Sequence, residues 1–374
     1  MKQLFKLLQL GLQMTDASSI DISDFAGLSK EEWTAIKDMA VKQGVSAIVL
    51  DGINQLPTDG YHLPTEMKLE WIGETMQIEQ RNRQQVAVME EMAGKWKVNG
   101  CRVMIMKGQA NGTMYPKPEH RSPGDIDCYL MNDKGYRETV SGYQLGNDIA
   151  RAAGAKVDES WYKHSVISYK GETFENHQYF VHTRDGKRGK QLEKELEEEL
   201  KVRGERLEVR ENGFLPLTEH TVIPPVQWAA MFLTYHACGH FVSEGLRLKQ
   251  LLDWAMFLKK HQHDVDWTAF YDYCDRYHLR RFADAATAIA VKYLNVNLND
   301  NRIVAESSYA DKILHNALHE DDYVFNSGKS RWTNRIHMVK NIFRYRWKYE
   351  DIYEGSIYKQ LWYYATGFLF KTEG

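Results

Sequence analysis

Residues 103–130 read VMIMKGQANGTMYPKPEHRSPGDIDCYL, and this stretch decides the fold. It opens on an apolar run, Val103 to Met106, of strand length. Lys107 and Gly108 follow, a cation and then a residue that lets backbone approach a ligand closely. The stretch closes on Gly124-Asp125-Ile126-Asp127-Cys128-Tyr129-Leu130, which alternates. Residues i and i+2 of a strand share a face, so Asp125 and Asp127 are expected side by side on an exposed face, with Ile126 turned into the core. Two such carboxylates repel unless a cation lies between them. Hard oxygen donors at this spacing suit Mg²⁺. The plain alternative is a pair of solvated aspartates at a strand start.

The rest of the composition is that of a globular protein. The 374 residues suffice for two or three domains with substantial cores. Apolar residues make up 43% and charged residues 26%, both ordinary fractions, so no fibrous or disordered class is implied. A formal net charge of -3 gives no global attraction to nucleic acid or anionic membrane. No apolar run approaches the roughly 20 residues of a membrane span, so no membrane partner is expected. The opening MKQLFKLLQLGLQM is interrupted by Lys6, Gln9 and Gln13, which favours an amphipathic helix over a signal peptide. The scattered Cys101, Cys128, Cys238 and Cys274 contain no Cys-x-x-Cys pair, which points to a reducing, cytoplasmic compartment.

Outward from the central stretch, residues 1–99 read as helices. Ser29 with Glu32 forms a capping-box pattern, Gly44 ends that helix, and Val45 to Leu56 reads as the next. Pro64 opens a long helical segment with a stripe at Met67, Trp71, Met76, Ile78, Val86, Met89 and Met92, stopped by Asn99-Gly100. Gln109 to Met114 suits a short helix, and Lys134 to Gly154 a longer one. His164 to Tyr169 and Thr173 to Val181 read as strands, with Lys170-Gly171-Glu172 as the hairpin turn between them. Gly186 to Arg210 is so charged that a solvated helix is the simplest reading, with a docking surface as the alternative. From Pro225 the chain reads as helical to Val296. The expected class is α+β: a small mixed sheet at 100–220, an N-terminal helical region at 1–99 and a C-terminal helical domain at 221–374.

The central stretch resembles the nucleotidyltransferase superfamily, and within it most closely a group of bacterial nucleotidyltransferases. The residues that carry the resemblance are Lys107, Gly108, Tyr115, Pro116, Pro118, Arg121, Gly124, Asp125, Ile126 and Asp127, and the likeness runs from about Arg81 to Val296. It implies transfer of an NMP from an NTP, ATP among the candidates, to a hydroxyl acceptor, with release of pyrophosphate. Asp125 and Asp127 would hold one or two Mg²⁺ ions. A third carboxylate on a later strand would complete the ligands or act as base. Phe174-Glu175-Asn176-His177 fits that third position, with His164 on the preceding strand. If Phe174 is buried, Glu175 turns to the opposite face, where the aspartates are expected; Glu172, in the turn, would stay in water. His164 and His177 then bind phosphate, orient a carboxylate, or simply sit partly buried. Lys107, Gly108 and Arg121 would meet the nucleotide.

Two later segments leave readings open. His236, His240 and Glu244 stand at helical spacing for one face, as a metal site would. Ala237 follows the first histidine where a metalloprotease has Glu, so a metal-dependent hydrolase lacks its pattern. By the same resemblance Arg247 would reach a triphosphate across the cleft; the alternatives are an Arg247–Asp253 pair or a polar interdomain network. Arg331 to Tyr349 interleaves basic with aromatic residues, which suits RNA gripped by stacking or side chains laid over a core. The acceptor is open among protein, RNA, sugar and small molecule. A catalytically idle nucleotide-binding scaffold of the same fold is the alternative to an enzyme.

Overall fold

The computed structural model describes residues 1–58, 60–132, 142–183, 186–204, 213–243, 245–319, 340, 343–353 and 355–358. In chain order the helices before the sheet are α1 (Lys2–Gly11), α2 (Ser23–Ala26), α3 (Lys30–Lys42), α4 (Ser46–Ile53) and α5 (Thr65–Val98). The sheet region follows: β1 (Cys101–Ile105), α6 (Gln109–Gly112), β2 (Ile126–Asn132), α7 (Tyr143–Ala152), β3 (Lys156–Asp158), β4 (His164–Tyr169), β5 (Glu172–His177), α8 (Lys187–Gly204), β6 (Leu215–Pro216) and β7 (Thr221–Ile223). Helices α9 (Val226–Ser243), α10 (Leu248–His261), α11 (Trp267–Arg276), α12 (Arg280–Leu294) and α13 (Ala310–His319) complete the regular α-helices among the described residues. A mixed sheet with flanking helices is the α+β class that the sequence implies.

Among the described residues the sheet order is β3-β4-β5-β2-β1-β7-β6. β1 runs antiparallel to β2, and β2 parallel to β5, so the two segments expected to carry carboxylates are neighbours at the sheet centre. One face of the sheet is apolar: Ile126, Cys128, Leu130 and Phe174 pack against Met89, Met92 and Trp96 of α5 and Ala150 of α7. Trp96 meets Phe174 edge-on at 5.6 Å and donates its indole N–H to the Gly146 carbonyl. The opposite face looks toward α9 and α10.

Helix α3 starts at the Ser29–Glu32 capping box, both of whose hydrogen bonds are present. Helix α4 is shorter at both ends than its apolar run suggested. The stripe on α5 is interrupted where Met76 is 61% exposed and Thr75, Asn82 and Gln85 are buried instead. The reason is local: this part of α5 faces the loop before β2, whose carbonyls need donors. Asn82 Nδ2 donates to the Glu119 and Arg121 carbonyls, and Gln85 Nε2 to the Gly124 carbonyl. Helix α8 is not simply solvated. It buries Leu192, Leu196 and Leu200, and the Glu193 carboxylate accepts the backbone N–H groups of Phe180 and Val181.

The N-terminal helices share one apolar core with α9 to α13. Helices α1 and α4 cross backbone to backbone: a Cβ on Gly52 would stand 2.0 Å from the Leu7 carbonyl oxygen, and one on Gly11 the same distance from that of Ile48. Gln43, after α3, is buried and ties the layers together, donating to the Ala317 carbonyl and accepting from Leu248 N.

Candidate active site

The site grows out of the β1–α6 turn. Met106 N donates to the Asp127 carbonyl, which extends the β1–β2 ladder by one bond. Gly108 then adopts φ 66 and ψ -107, a conformation that strains any residue with a Cβ. The turn brings Lys107 Nζ to 2.6 Å from Asp127 Oδ2.

On β2 and β5, Asp127 stands directly beside Glu175 in the parallel register. Phe174 is fully buried in the α5 core, so Glu175 lies on the opposite face, with Asp127 and His177. His164 of β4 pairs with His177 in the β4–β5 ladder, and this adds a second imidazole. Asp125 precedes the ladder by one residue and is exposed. Asp127 is 0% exposed, which corrects the expectation of two aspartates on one exposed strand face. Its Oδ1 lies 3.2 Å from His177 Nε2. Its Oδ2 has ion-pair contact with Lys107 but accepts no directed hydrogen bond.

Glu172 overturns a second expectation. The hairpin turn is the two-residue Lys170-Gly171, both at positive φ, as tight hairpins require. Glu172 therefore pairs with Tyr169 as the first residue of β5. It is 3% exposed, not solvated, and lies on the α5 side, where Gln85 Nε2 donates to its Oε2 at 3.2 Å. The strand that it opens ends at His177, short of the expected Val181.

A cavity of about 550 Å³ lies between the carboxylate edge and helices α9, α10 and α12. Asp125, Asp127, Lys107, Arg247 and Lys249 are among its polar lining residues, and Leu233, Trp254 and Phe282 among its apolar ones. Its volume is in the range of small-molecule sites, which pair an apolar lining with a few placed polar groups. A family model described as an uncharacterised nucleotidyltransferase matches residues 29–295, well over half of the chain.

The chain belongs to this nucleotidyltransferase family.

No curated protein and no solved structure is significantly similar to it. The family match begins at residue 29, well before Arg81, and so takes in α3 and α4 as well as the sheet and α9 to α12. The site is electrostatically tight. Burial opposes the charge of Asp127, yet Lys107 and His177 outweigh it and hold the carboxyl well below the usual range. Burial likewise opposes the Lys107 ammonium, but Asp127 and then Glu175 keep its pKa raised. Asp125 is exposed as a residue, but desolvation of its carboxyl, then the charges of Glu175 and Asp127, raise its pKa. Burial pushes His164 down to about 4, so it is neutral at pH 7.

The remaining expected residues fall into place around the cavity. Arg121 is buried in a bidentate pair with Asp253, Nε to Oδ1 and Nη2 to Oδ2, both at 2.7 Å. Tyr115 OH and Asn111 Nδ2 donate to the same carboxylate. Asp253 is thus paired with Arg121, not with Arg247 as one alternative had it: Arg247 stands at the start of α10, whereas Asp253 sits on the buried face that the Arg121 loop reaches. His236 and His240 meet Nε2 to Nε2 at 3.2 Å, so one imidazole donates to the other. Burial, then Lys107 and His240, pushes His236 well below its ordinary pKa. Glu244 lies outside the described residues, as do 331–339 and 341–342 of the basic-aromatic segment. Of that segment's described part, Lys348 and Tyr349 are buried and Trp347, half-buried, packs its ring 5.5 Å from Phe241, whereas Phe343, Arg344 and Arg346 are exposed. No helix among the described residues is long and apolar enough to cross a membrane.

Four residues of the site carry no local sequence signal. Lys163, buried beside Asp127 and Glu175, has its pKa lowered by burial against the pull of those two carboxylates. Lys249 lines the cavity, and burial, then Arg121, brings it down to about 8. Gln85 and Gln109 form a buried amide chain under the loop, Gln109 Nε2 donating to Gln85 Oε1 at 2.7 Å. For Lys249, the only available hint was its place two residues after Arg247.

Proposed function

We propose that this protein transfers an NMP from an NTP to a hydroxyl acceptor, with release of pyrophosphate. The observation that carries this reading is the direct pairing of Asp127, which lines the cavity, with Glu175, in a cavity that also holds the cations Lys107, Arg247 and Lys249. The donor set suits Mg²⁺ in kind: Asp127 and Glu175 are paired across the strands, both raise the pKa of Asp125 by their charge, and all three offer hard oxygen donors. Asp125, Asp127 and Glu175 would hold the ion, which when bound would neutralise phosphate oxygens and favour in-line displacement. The chain's own groups do the rest. Gly108 leaves room for phosphate to approach the backbone. Lys107, Arg247 and Lys249 supply fixed positive charge for the triphosphate. The acceptor oxygen bonds to the α-phosphorus, the bond to the β-phosphate bridging oxygen breaks, and Glu175 takes the acceptor proton. Leu233, Trp254 and Phe282 give the cavity an apolar wall against which a base or sugar could pack.

A second reading is an idle nucleotide-binding scaffold. The observation favouring it is Lys107 on Asp127, which already neutralises the buried carboxylate. Incubating the chain with α-labelled NTPs, Mg²⁺ and cell extract separates the two. Label transfer with pyrophosphate release, abolished in Asp125→Asn, supports the enzyme. NTP–Mg²⁺ binding without transfer supports the scaffold, and no NTP binding at all refutes both.

A further inference from the structure

The carboxylate edge has a nitrogen-rich flank that the oxygen ligands of Mg²⁺ do not explain. His177 Nδ1 faces the Tyr179 carbonyl at 3.2 Å. A carbonyl only accepts, so Nδ1 carries a proton. A neutral His177 then aims its Nε2 lone pair at two carboxylates, Asp127 Oδ1 at 3.2 Å and Glu175 Oε2 at 3.5 Å. A lone pair facing two anions in a buried site requires a cation between them, either a proton or a metal ion.

The second imidazole decides between these. His164 Nε2 lies 3.6 Å from Glu175 Oε1, too far for a good hydrogen bond, and its Nδ1 is buried with no hydrogen-bond partner. A proton on His177 leaves the long His164–Glu175 separation unexplained, whereas an ion held between Nε2 and Oε1 accounts for it. One ligand atom each from His164, Glu175 and His177 lies within 4.8 Å of the others. Donors about 2.0–2.1 Å from a tetrahedral zinc ion stand roughly 3.4 Å apart, close to the 3.6 Å and 3.5 Å at which His164 and His177 stand from the two Glu175 oxygens. The His177 contact to a backbone carbonyl is the outer-shell bond that metal-ligating histidines make to fix their tautomer. His164 and Glu175 are only partly buried, which leaves a path for an ion.

We infer that His164, Glu175 and His177 form a binding site for a first-row transition metal ion of the zinc class, with Asp127 beside it. The site deepens the reading of the same carboxylate edge, because Asp127, which lines the cavity, lies beside both Glu175 and His177. Two imidazoles disfavour Mg²⁺, which prefers oxygen and octahedral geometry, and select Zn²⁺ or Co²⁺.

The test uses the full, tag-free chain, stripped with chelator, without nucleotide. Zn²⁺ is titrated calorimetrically, and Co²⁺ is followed by its visible absorption. The expected result is one Zn²⁺ per chain, bound at least 100-fold more tightly than Mg²⁺, with the intense visible bands of low-coordinate Co²⁺. His164→Ala and the gentler His164→Gln are each expected to weaken Zn²⁺ by at least about tenfold. His220→Ala, which removes the separate Glu90, Glu219 and His220 cluster, should leave the affinity unchanged. Metal-free melting of each variant confirms that it folds. Failure of the wild-type chain to bind Zn²⁺, or equal binding by both His164 variants, overturns the inference and leaves a proton as the cation. NTP–Mg²⁺ binding is measured separately, so that outcome does not touch nucleotidyl transfer.

Discussion

Replacing Asp253 by Leu tests how the loop before β2 is held. The carboxylate takes four donors: Arg121 Nε and Nη2, Tyr115 OH, and Asn111 Nδ2 at 2.9 Å. All of these groups are buried. Removing one partner of a buried ion pair costs about 3–5 kcal/mol, because the other charge is left without compensation. Against a total stability of about 5–15 kcal/mol, that is a large fraction. The measurement is the urea midpoint of wild type, Asp253→Leu, Arg121→Met and the double variant. Each single variant should lose about 3 kcal/mol or more. The double variant should cost less than their sum, with a coupling of about 2 kcal/mol, since neither charge is then stranded. The pH dependence has a defined sign. Burial opposes the Asp253 charge, but Arg121 holds its folded pKa below the ordinary carboxylate value. The pair's stabilisation is therefore present above the unfolded pKa of about 3.9 and is lost as pH falls through the lower, folded value. Single variants that lose under about 1 kcal/mol, or costs that add, would refute the clamp and return Arg121 to the nucleotide as its main role.

Three further outcomes are expected. Glu172→Ala should destabilise by about 1–3 kcal/mol, because it strands the buried Gln85 amide; unchanged denaturant stability would mean that Glu172 is solvated after all. Gly108→Ala should cost about 1–2 kcal/mol from its positive φ and weaken NTP binding with it; thermal melts and calorimetry check both, and a neutral result would remove the glycine from the turn argument. Burial brings Lys249 down to about 8, so it is charged below that pH and neutral above it. NTP affinity should accordingly be flat from pH 6.5 to 7.5 and fall above pH 8, and Lys249→Arg should abolish the fall; a flat wild-type profile to pH 9.5 would place Lys249 away from phosphate.

Much of the fold was legible because its signals are local. A capping box spans four residues, and Ser29 to Glu32 forms one. Strand alternation has period two, so a buried Phe174 necessarily turns Glu175 to the other face. Lys107-Gly108 after an apolar run marked the turn, and helical spacing placed His236 near His240. Where a local signal was misjudged by one residue, as in the hairpin turn before Glu172, every side chain downstream kept its face but Glu172 changed from turn to buried strand. The polar breaks in the α5 stripe, Asn82 and Gln85, were visible as residues, but their purpose lay about 40 positions further on, in the loop carbonyls that they satisfy.

Tertiary structure alone decided who meets whom. The register that sets Asp127 beside Glu175, the choice of Arg121 over Arg247 for Asp253, and the arrival of Lys249 at the cavity all join segments far apart in the chain. Backbone period and capping fix which way a side chain points on its own element, because they act over one turn or one pleat. They carry no information about the partner across the sheet. That partner is selected by the apolar packing of α5 and α7 on one face and α9 and α10 on the other, and by the requirement that each buried charge find an opposite one.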